Sequence, residues 1–365
     1  MPTACPFLPY DDVVNVIVIG AGIVGAAVAE ELAARAARVT VLDMRSPGRG
    51  ASHASAGLLA PYTEGQGAAP LLALCVRSLD LYDDFVARIR DRSGLPVQYE
   101  RGGTLEVALA AGEVAGLRDT ERWLNDQRIE AQWLEGEQLA RFEPAVATTA
   151  VGGLHIPAQG FVAAGALVKA LVHAARLQGA QFESPVEAVR IESTPGHVEV
   201  RADERRLVAD AVVVAAGTWS GRIHIVGVPP LPVRPIRGQL LQLTWTGADL
   251  PKRPVWGSRC YTVPWQPNTL LVGATVEDVG FDERSTVAGV HAMLDGVAEL
   301  LPGARYGEIA EVRVGLRPAT PDGLPLLGPL SDAPGVYVAA GHYRNGVLLA
   351  PLSAKLIAQS VLDGR

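Results

Sequence analysis

The sequence predicts an α/β fold in which a parallel-sheet unit, assembled from separated pieces of the chain, carries an α+β insertion. Three observations predict it. The chain opens as strand, glycine turn, helix and strand. Apolar runs of strand length recur at its start, middle and end, and the stretch between the last two is rich in short strands punctuated by proline.

Residues 13–19 form an apolar run, 20–25 a glycine turn and 23–36 an alanine-rich helix. A second buried strand, Arg38–Leu42, ends at Asp43. The loop over 44–60 is made of small residues without a period. Leu71, Leu74, Tyr82, Phe85 and Ile89 lie at helical spacing and predict one amphipathic helix over 71–90, closed by Ser93, Gly94 and Pro96. Further helices are expected around 113–127 and over 161–177, the latter ended by Gln178-Gly179. Strands over 186–192 and 197–201 flank a Pro195-Gly196 turn, and the apolar strand 211–215 runs into Gly217. Residues 233–276 read as antiparallel strands. A helix over 286–301, strands over 309–316 and 336–339, a glycine loop over 341–346 and a helix over 347–362 complete the chain.

A chain of 365 residues, 48% of them hydrophobic, is long enough for two domains. The expected division is discontinuous: residues 1–84, 149–221 and 322–365 form the parallel-sheet unit, and 85–148 and 222–321 the second one. The net charge is −7, lysine occurs only at Lys169, Lys252 and Lys355, and the arginines are scattered, which argues against a nucleic-acid partner. Cys5, Cys75 and Cys260 lack metal-ligand spacing, so neither a metal site nor a disulfide framework is expected. The apolar start follows Asp11 and Asp12, with no Lys or Arg before Arg35, unlike a signal peptide. A cytoplasmic protein without a membrane span is expected, with homo-oligomerisation left open.

The sharpest motif is Gly20-Ala21-Gly22-Ile23-Val24-Gly25 where strand meets helix, followed by Asp43 at the end of the next strand. Gly20 permits the tight turn, Gly22 lets backbone approach a pyrophosphate at the positive helix end, and Gly25 allows close helix–strand packing. Asp43 is placed to accept hydrogen bonds from a ribose diol. This is a Rossmann-like dinucleotide site. Two further segments suit the same ligand: the strand and turn "AVVVAAGTWS", containing Gly217, and the loop "GHYRNGVL", running from Gly341 through His342, Arg344, Asn345, Gly346 and Val347 to Leu348. With the small-residue loop at 49–58 they favour a large, extended cofactor.

Taken together, "VIVIGAGIVGAAVAEELA", "ASAGLLAP", "VVVAAGTWSG", "PVRPIRGQLL", "CYTVP" with "LLVGAT", "GLRPATPDGLPLLG" and "AAGHYRNGVLLAP" resemble the FAD-dependent D-amino acid oxidase superfamily. Within it the chain is most similar to the glycine oxidases of thiamine biosynthesis. The resemblance implies non-covalent FAD held by Ile23, Val24, Asp43, Met44, Ala51, Ser52, Ala56, Gly57, Leu58 and Val186. It also implies a substrate carboxylate at Arg317 with Tyr261 beside it, and Arg344 near flavin and substrate. Asp43 departs from the more frequent glutamate, and Arg259 stands where some glycine oxidases have histidine. His53 precedes Gly57 by one residue more than the histidine to which some related dehydrogenases attach flavin.

An amino-acid carboxylate needs a planar, permanently charged, bidentate partner, which arginine supplies. The expected reaction is hydride transfer from the substrate α-carbon to flavin N5, giving an oxo acid, ammonia and, with oxygen as acceptor, hydrogen peroxide. Glycine is the first substrate, with sarcosine or a small D-amino acid next. A dehydrogenase passing electrons to a quinone or carrier is the alternative, and a non-catalytic dinucleotide-binding sensor a weaker one. The charge for oxygen activation is sought at Arg317, His342 or Arg344.

Overall fold

Val16, Ile17, Val18 and Ile19 are all buried, as befits a strand paired on both sides and covered on both faces. The computed structural model, which describes residues 13–64, 69–245, 250–265 and 267–363, places this strand inside a sheet of parallel order. Cys5, Asp11 and Asp12 lie outside the described residues. The sheet runs Leu326–Pro329, Val336–Ala340, Ala211–Val214, Asn15–Ile19, Arg38–Leu42 and Gln181–Glu183. Of these, the edge strand Leu326–Pro329 is antiparallel to its neighbour.

Val16 and Val18 face a layer of helices, Ile23–Ala34, Ala164–Leu177 and Gly346–Asp363. Ile17 and Ile19 face a four-stranded sheet made of Ala188–Thr194, His197–Ala202, Arg205–Ala209 and His224–Ile225. The first helix packs against both others, which is why it is apolar nearly all round. The last helix is long and apolar enough to cross a membrane, but it is packed inside this layer.

An eight-stranded, mostly antiparallel sheet forms the other half, in the order Glu308–Ala319, Arg234–Thr244, Thr269–Gly273, Tyr261–Trp265, Val255–Trp256, Thr104–Ala108, Gly152–Ile156 and Gln132–Leu134. Gly152–Ile156 pairs inside this sheet, whereas the expected division assigned it to the parallel-sheet unit. Its apolar residues would suit either core.

Three of the differences from the sequence reading bear on the core and the cavity. The helix over 71–90 is two, Ala69–Asp80 and Tyr82–Ser93, meeting at Leu81. Around this break Ser78 and Tyr82 donate to the carbonyls of Leu348 (2.7 Å) and Val347 (2.6 Å), contacts that periodicity cannot reveal. The helix over 161–177 begins at Ala164, because Phe161 lies in the strand Gly160–Val162 and pairs with Leu58 and Glu100. The strand over 309–316 continues through Arg317 and Pro318 to Ala319, so Arg317 is not at a strand end. This is an edge strand, where proline is tolerated.

The glycine turn sets the spacing between first strand and first helix. Gly20 has φ +107°, and a Cβ at Gly25 would stand 1.9 Å from the Gly20 carbonyl oxygen. Gly25→Ala should therefore lower folding stability by about 1–3 kcal/mol, read as an earlier denaturation midpoint. An unchanged midpoint would show that the turn relaxes around the added methyl.

Candidate active site

The carboxyl ends of the parallel strands Asn15–Ile19, Arg38–Leu42 and Ala211–Val214 run into loops that line one extended cavity, closed on its far side by the eight-stranded sheet. Ligands of open α/β sheets bind at such strand ends. Gly20, Gly22, Ile23 and Val24 contribute from the turn, Asp43 and Met44 from the second strand end, and Ala51, Ser52, Ala56, Gly57 and Leu58 from the small-residue loop. Val186, Gly217, Tyr261, Arg317, His342, Arg344, Asn345, Gly346 and Val347 complete the expected set. Two expected residues do not line the cavity. Gly25 lies behind the turn, against the Gly20 carbonyl, and Leu348 points into the core at 1% exposure.

At one end the backbone is wired for a dinucleotide. Asp43 accepts from the Ala21 amide at 2.6 Å and from the Arg45 amide at 2.8 Å, one bond to each carboxylate oxygen. Burial pushes its pKa up, and these amide bonds work against that shift. The first helix has no side-chain cap of its own at Gly22; instead Ser52 accepts from the Ile23 amide at 2.9 Å. A Cβ at Gly22 would meet nothing nearer than the Ser52 hydroxyl at 3.5 Å, which leaves the helix N-terminus open to the cavity. The Thr218 hydroxyl on the same wall is buried and lacks a hydrogen-bond partner among the described residues. An open helix end, a spare buried hydroxyl and a partly buried acid suit the phosphates and ribose of FAD.

The small-residue loop is small for a packing reason. A Cβ at Gly315, on the edge strand, would come within 2.8 Å of the Ala54 side chain and 3.2 Å of Ala51, so sheet and loop are in contact. Sequence reasoning missed the residues that clamp this wall. Arg45 stacks on Trp219 at 4.5 Å and pairs with Glu283 at 2.7 Å, while Arg222 lies 3.5 Å over Phe281. The signal was partly present, since Trp219 stands inside "AVVVAAGTWS".

At the other end Arg317 donates to the carbonyls of Thr275 (2.9 Å) and Arg237 (3.3 Å). Among the described residues no carboxylate pairs with it. Its guanidinium lies over Gly238, where a Cβ would be 2.4 Å from Cζ. Tyr261 lies likewise over Gly273, whose Cβ would stand 2.4 Å from the hydroxyl. Burial pulls the Arg317 pKa down; it pushes Tyr261 up to about 12 against the opposing charge of Arg317. The tyrosine therefore remains a hydroxyl donor near neutral pH.

Arg344 lies 3.5 Å from Glu64, an acid that sequence reasoning also passed over although it closely follows "ASAGLLAP". His342 is 4% exposed, bonds to Ser353 at 3.0 Å, and burial lowers its pKa to about 4. It is neutral near pH 7, so it drops out of the positive charges expected to meet oxygen. Arg259 is outside the cavity, beside Asp295 and Glu299. His53 is also off the cavity wall, with its ring between Arg49 and Glu311.

A family model described as FAD dependent oxidoreductase matches residues 15–360. The chain is 36% identical to the bifunctional protein ThiO/ThiG of Nostoc sp. strain PCC 7120, over 96% of this chain and 53% of that protein. It thus spans about half the length of the first relatives it matches. It is 34% identical to the glycine oxidase of Geobacillus kaustophilus over 95% of this chain and 92% of that one. The crystal structure of glycine oxidase from the same organism superposes with a TM-score of 0.90 at 33% identity, covering 95% of each chain. Iminodiacetate oxidase from Chelativorans sp. BNC1 gives 0.87 at 27% identity, again over 95% of each chain.

Asp43→Ala should weaken FAD binding roughly ten- to a hundred-fold, about 1–3 kcal/mol, without changing substrate preference. Titration of apoprotein with FAD, followed by fluorescence, measures this. An unchanged Kd would show that the acid does not reach the ribose.

Proposed function

The chain belongs to the family of FAD-dependent oxidoreductases, and from that premise we propose that it oxidises the amine of a small amino acid, glycine first. The observation that carries this reading is Arg317: a guanidinium turned into the cavity, held by two carbonyls and without a carboxylate partner among the described residues. A partly buried cation in that state favours an anion of matching shape, and a substrate carboxylate supplies one.

Arg317 fixes the carboxylate, and the neutral Tyr261 hydroxyl donates a second hydrogen bond to it. The two side chains start from neighbouring parts of one rigid sheet, over glycines that leave them room, so the α-carbon is oriented without reorganisation. Bound FAD supplies the acceptor for the hydride that leaves this carbon. The substrate amine enters neutral, and its lone pair assists the departure, so no side-chain base is required. Water then hydrolyses the imino acid to an oxo acid and ammonia. With oxygen as final acceptor the balance is one amino acid, one oxygen and one water giving oxo acid, ammonia and hydrogen peroxide.

Arg317→Leu should lower kcat/KM for glycine by roughly 10²–10⁴-fold, because the substrate charge loses its partner in a partly dry site. FAD content should stay at the wild-type level. Lysine at this position should restore only part of the rate. Gly238→Ala should lower the rate by a smaller factor with the fold intact, since the added methyl displaces the guanidinium. An oxygen electrode measures the rates and flavin absorbance the FAD content; full activity of a yellow Arg317→Leu enzyme would place the carboxylate elsewhere.

A further inference from the structure

The short helix Pro61–Glu64 delivers a carboxylate to the substrate end of the cavity. The helix is held firmly. The Glu64 amide donates to the Ala60 carbonyl at 2.9 Å, the Tyr62 amide donates to Gln159 at 2.9 Å, and the Thr63 hydroxyl donates to Glu106 at 2.7 Å. The Glu64 side chain is only 12% exposed, against 34% for Arg344. Both carboxylate oxygens lie 3.5 Å from the same Arg344 nitrogen, which is a charge pairing with no short, directional bond.

The charges at this end can be counted. Arg317 is positive without a carboxylate partner, Arg344 and Glu64 cancel, and burial keeps both Tyr261 and His342 neutral near pH 7. One positive charge remains, which a single carboxylate neutralises. A substrate bearing a second anionic group would find its other guanidinium already matched and would bring that group against Glu64. Like charges brought together in a partly dry site repel strongly.

We propose that Glu64 sets the charge class of the substrate: by neutralising Arg344 it restricts the cavity to amino acids with one carboxylate and excludes those with a second acidic group. This rests on the amino-acid oxidase reading above. Glu64 acts here by discrimination, through a charge presented to the wrong substrate as much as through one offered to the right substrate.

The test compares sarcosine with iminodiacetate on the FAD-loaded enzyme. Both are N-substituted glycines, and the second adds a carboxylate. Glu64→Gln should raise the iminodiacetate-to-sarcosine ratio of kcat/KM at least tenfold. Arg344→Gln, which leaves Glu64 uncancelled, should lower that ratio. A readout independent of turnover is the flavin absorbance change on titration with acetate or malonate, where Glu64→Gln should tighten malonate relative to acetate. The two variants move the ratio in opposite directions, which a merely structural role for either residue would not produce. If wild type oxidises glycine but neither variant shifts the ratio, the inference is overturned. It is also overturned if Glu64→Gln loses glycine, sarcosine and iminodiacetate alike, since Glu64 would then hold the amine. If wild type oxidises none of the three and binds neither anion, the amino-acid oxidase reading has failed and this inference fails with it.

Discussion

The hydrogen bond from the Ala21 amide to Asp43 ties the glycine turn to the end of the neighbouring strand, and much of the cavity follows from it. With the turn fixed there, the first helix begins directly behind it, and Gly25 lets the helix pass against the Gly20 carbonyl. The helix N-terminus then faces the cavity, capped from the side by Ser52 and not by a residue of its own. That arrangement leaves an electropositive backbone end available to a phosphate. The same acid also holds the Arg45 amide, so the chain leaves the strand towards Trp219 and Glu283. One carboxylate thus organises turn, helix end and cavity wall.

The opposite wall obeys a different constraint. A sheet presents long side chains flat against a ligand only where its own neighbouring positions are empty. Gly238 lies under Arg317, Gly273 under Tyr261, and Gly315 faces the loop at Ala51 and Ala54. The cavity is therefore bounded by backbone and small residues on one side and by two laid-down polar side chains on the other. Such a surface leaves room for a flat ring, with the loops at the parallel strand ends on one side and the eight-stranded sheet on the other.

Electrostatically, the two ends of the cavity suit different chemical groups. Near Asp43 the available groups are an acid, open amides and a spare hydroxyl, which match ribose and phosphate. Near Arg317 the excess is positive, and burial keeps the surrounding tyrosine and histidine uncharged. Position within one cavity thus separates groups that suit a dinucleotide from groups that suit a carboxylate.

How much of this was legible beforehand depends on how local each signal is. The glycine turn, Asp43, the apolar strands and the final glycine loop could be read directly, because their chemistry is carried by residues close in sequence and their structure by short-range period. Arg317 and Tyr261 stood out through the motifs around them. The break at Leu81, the strand that claims Phe161, and the extension of the edge strand through Pro318 could not be read, because hydrogen bonds and pairing partners distant in sequence decide them. The pairing of Arg344 with Glu64, the neutrality of His342 and the clamp of Arg45 on Trp219 were hidden for the same reason. By itself the sequence determined which cofactor class the chain is built around, and it singled out Arg317 as the arginine we propose for the substrate carboxylate. Only the tertiary structure decided which charges remain uncancelled, since a side chain's charge and its partner are set by burial and by neighbours that the fold brings from elsewhere in the chain.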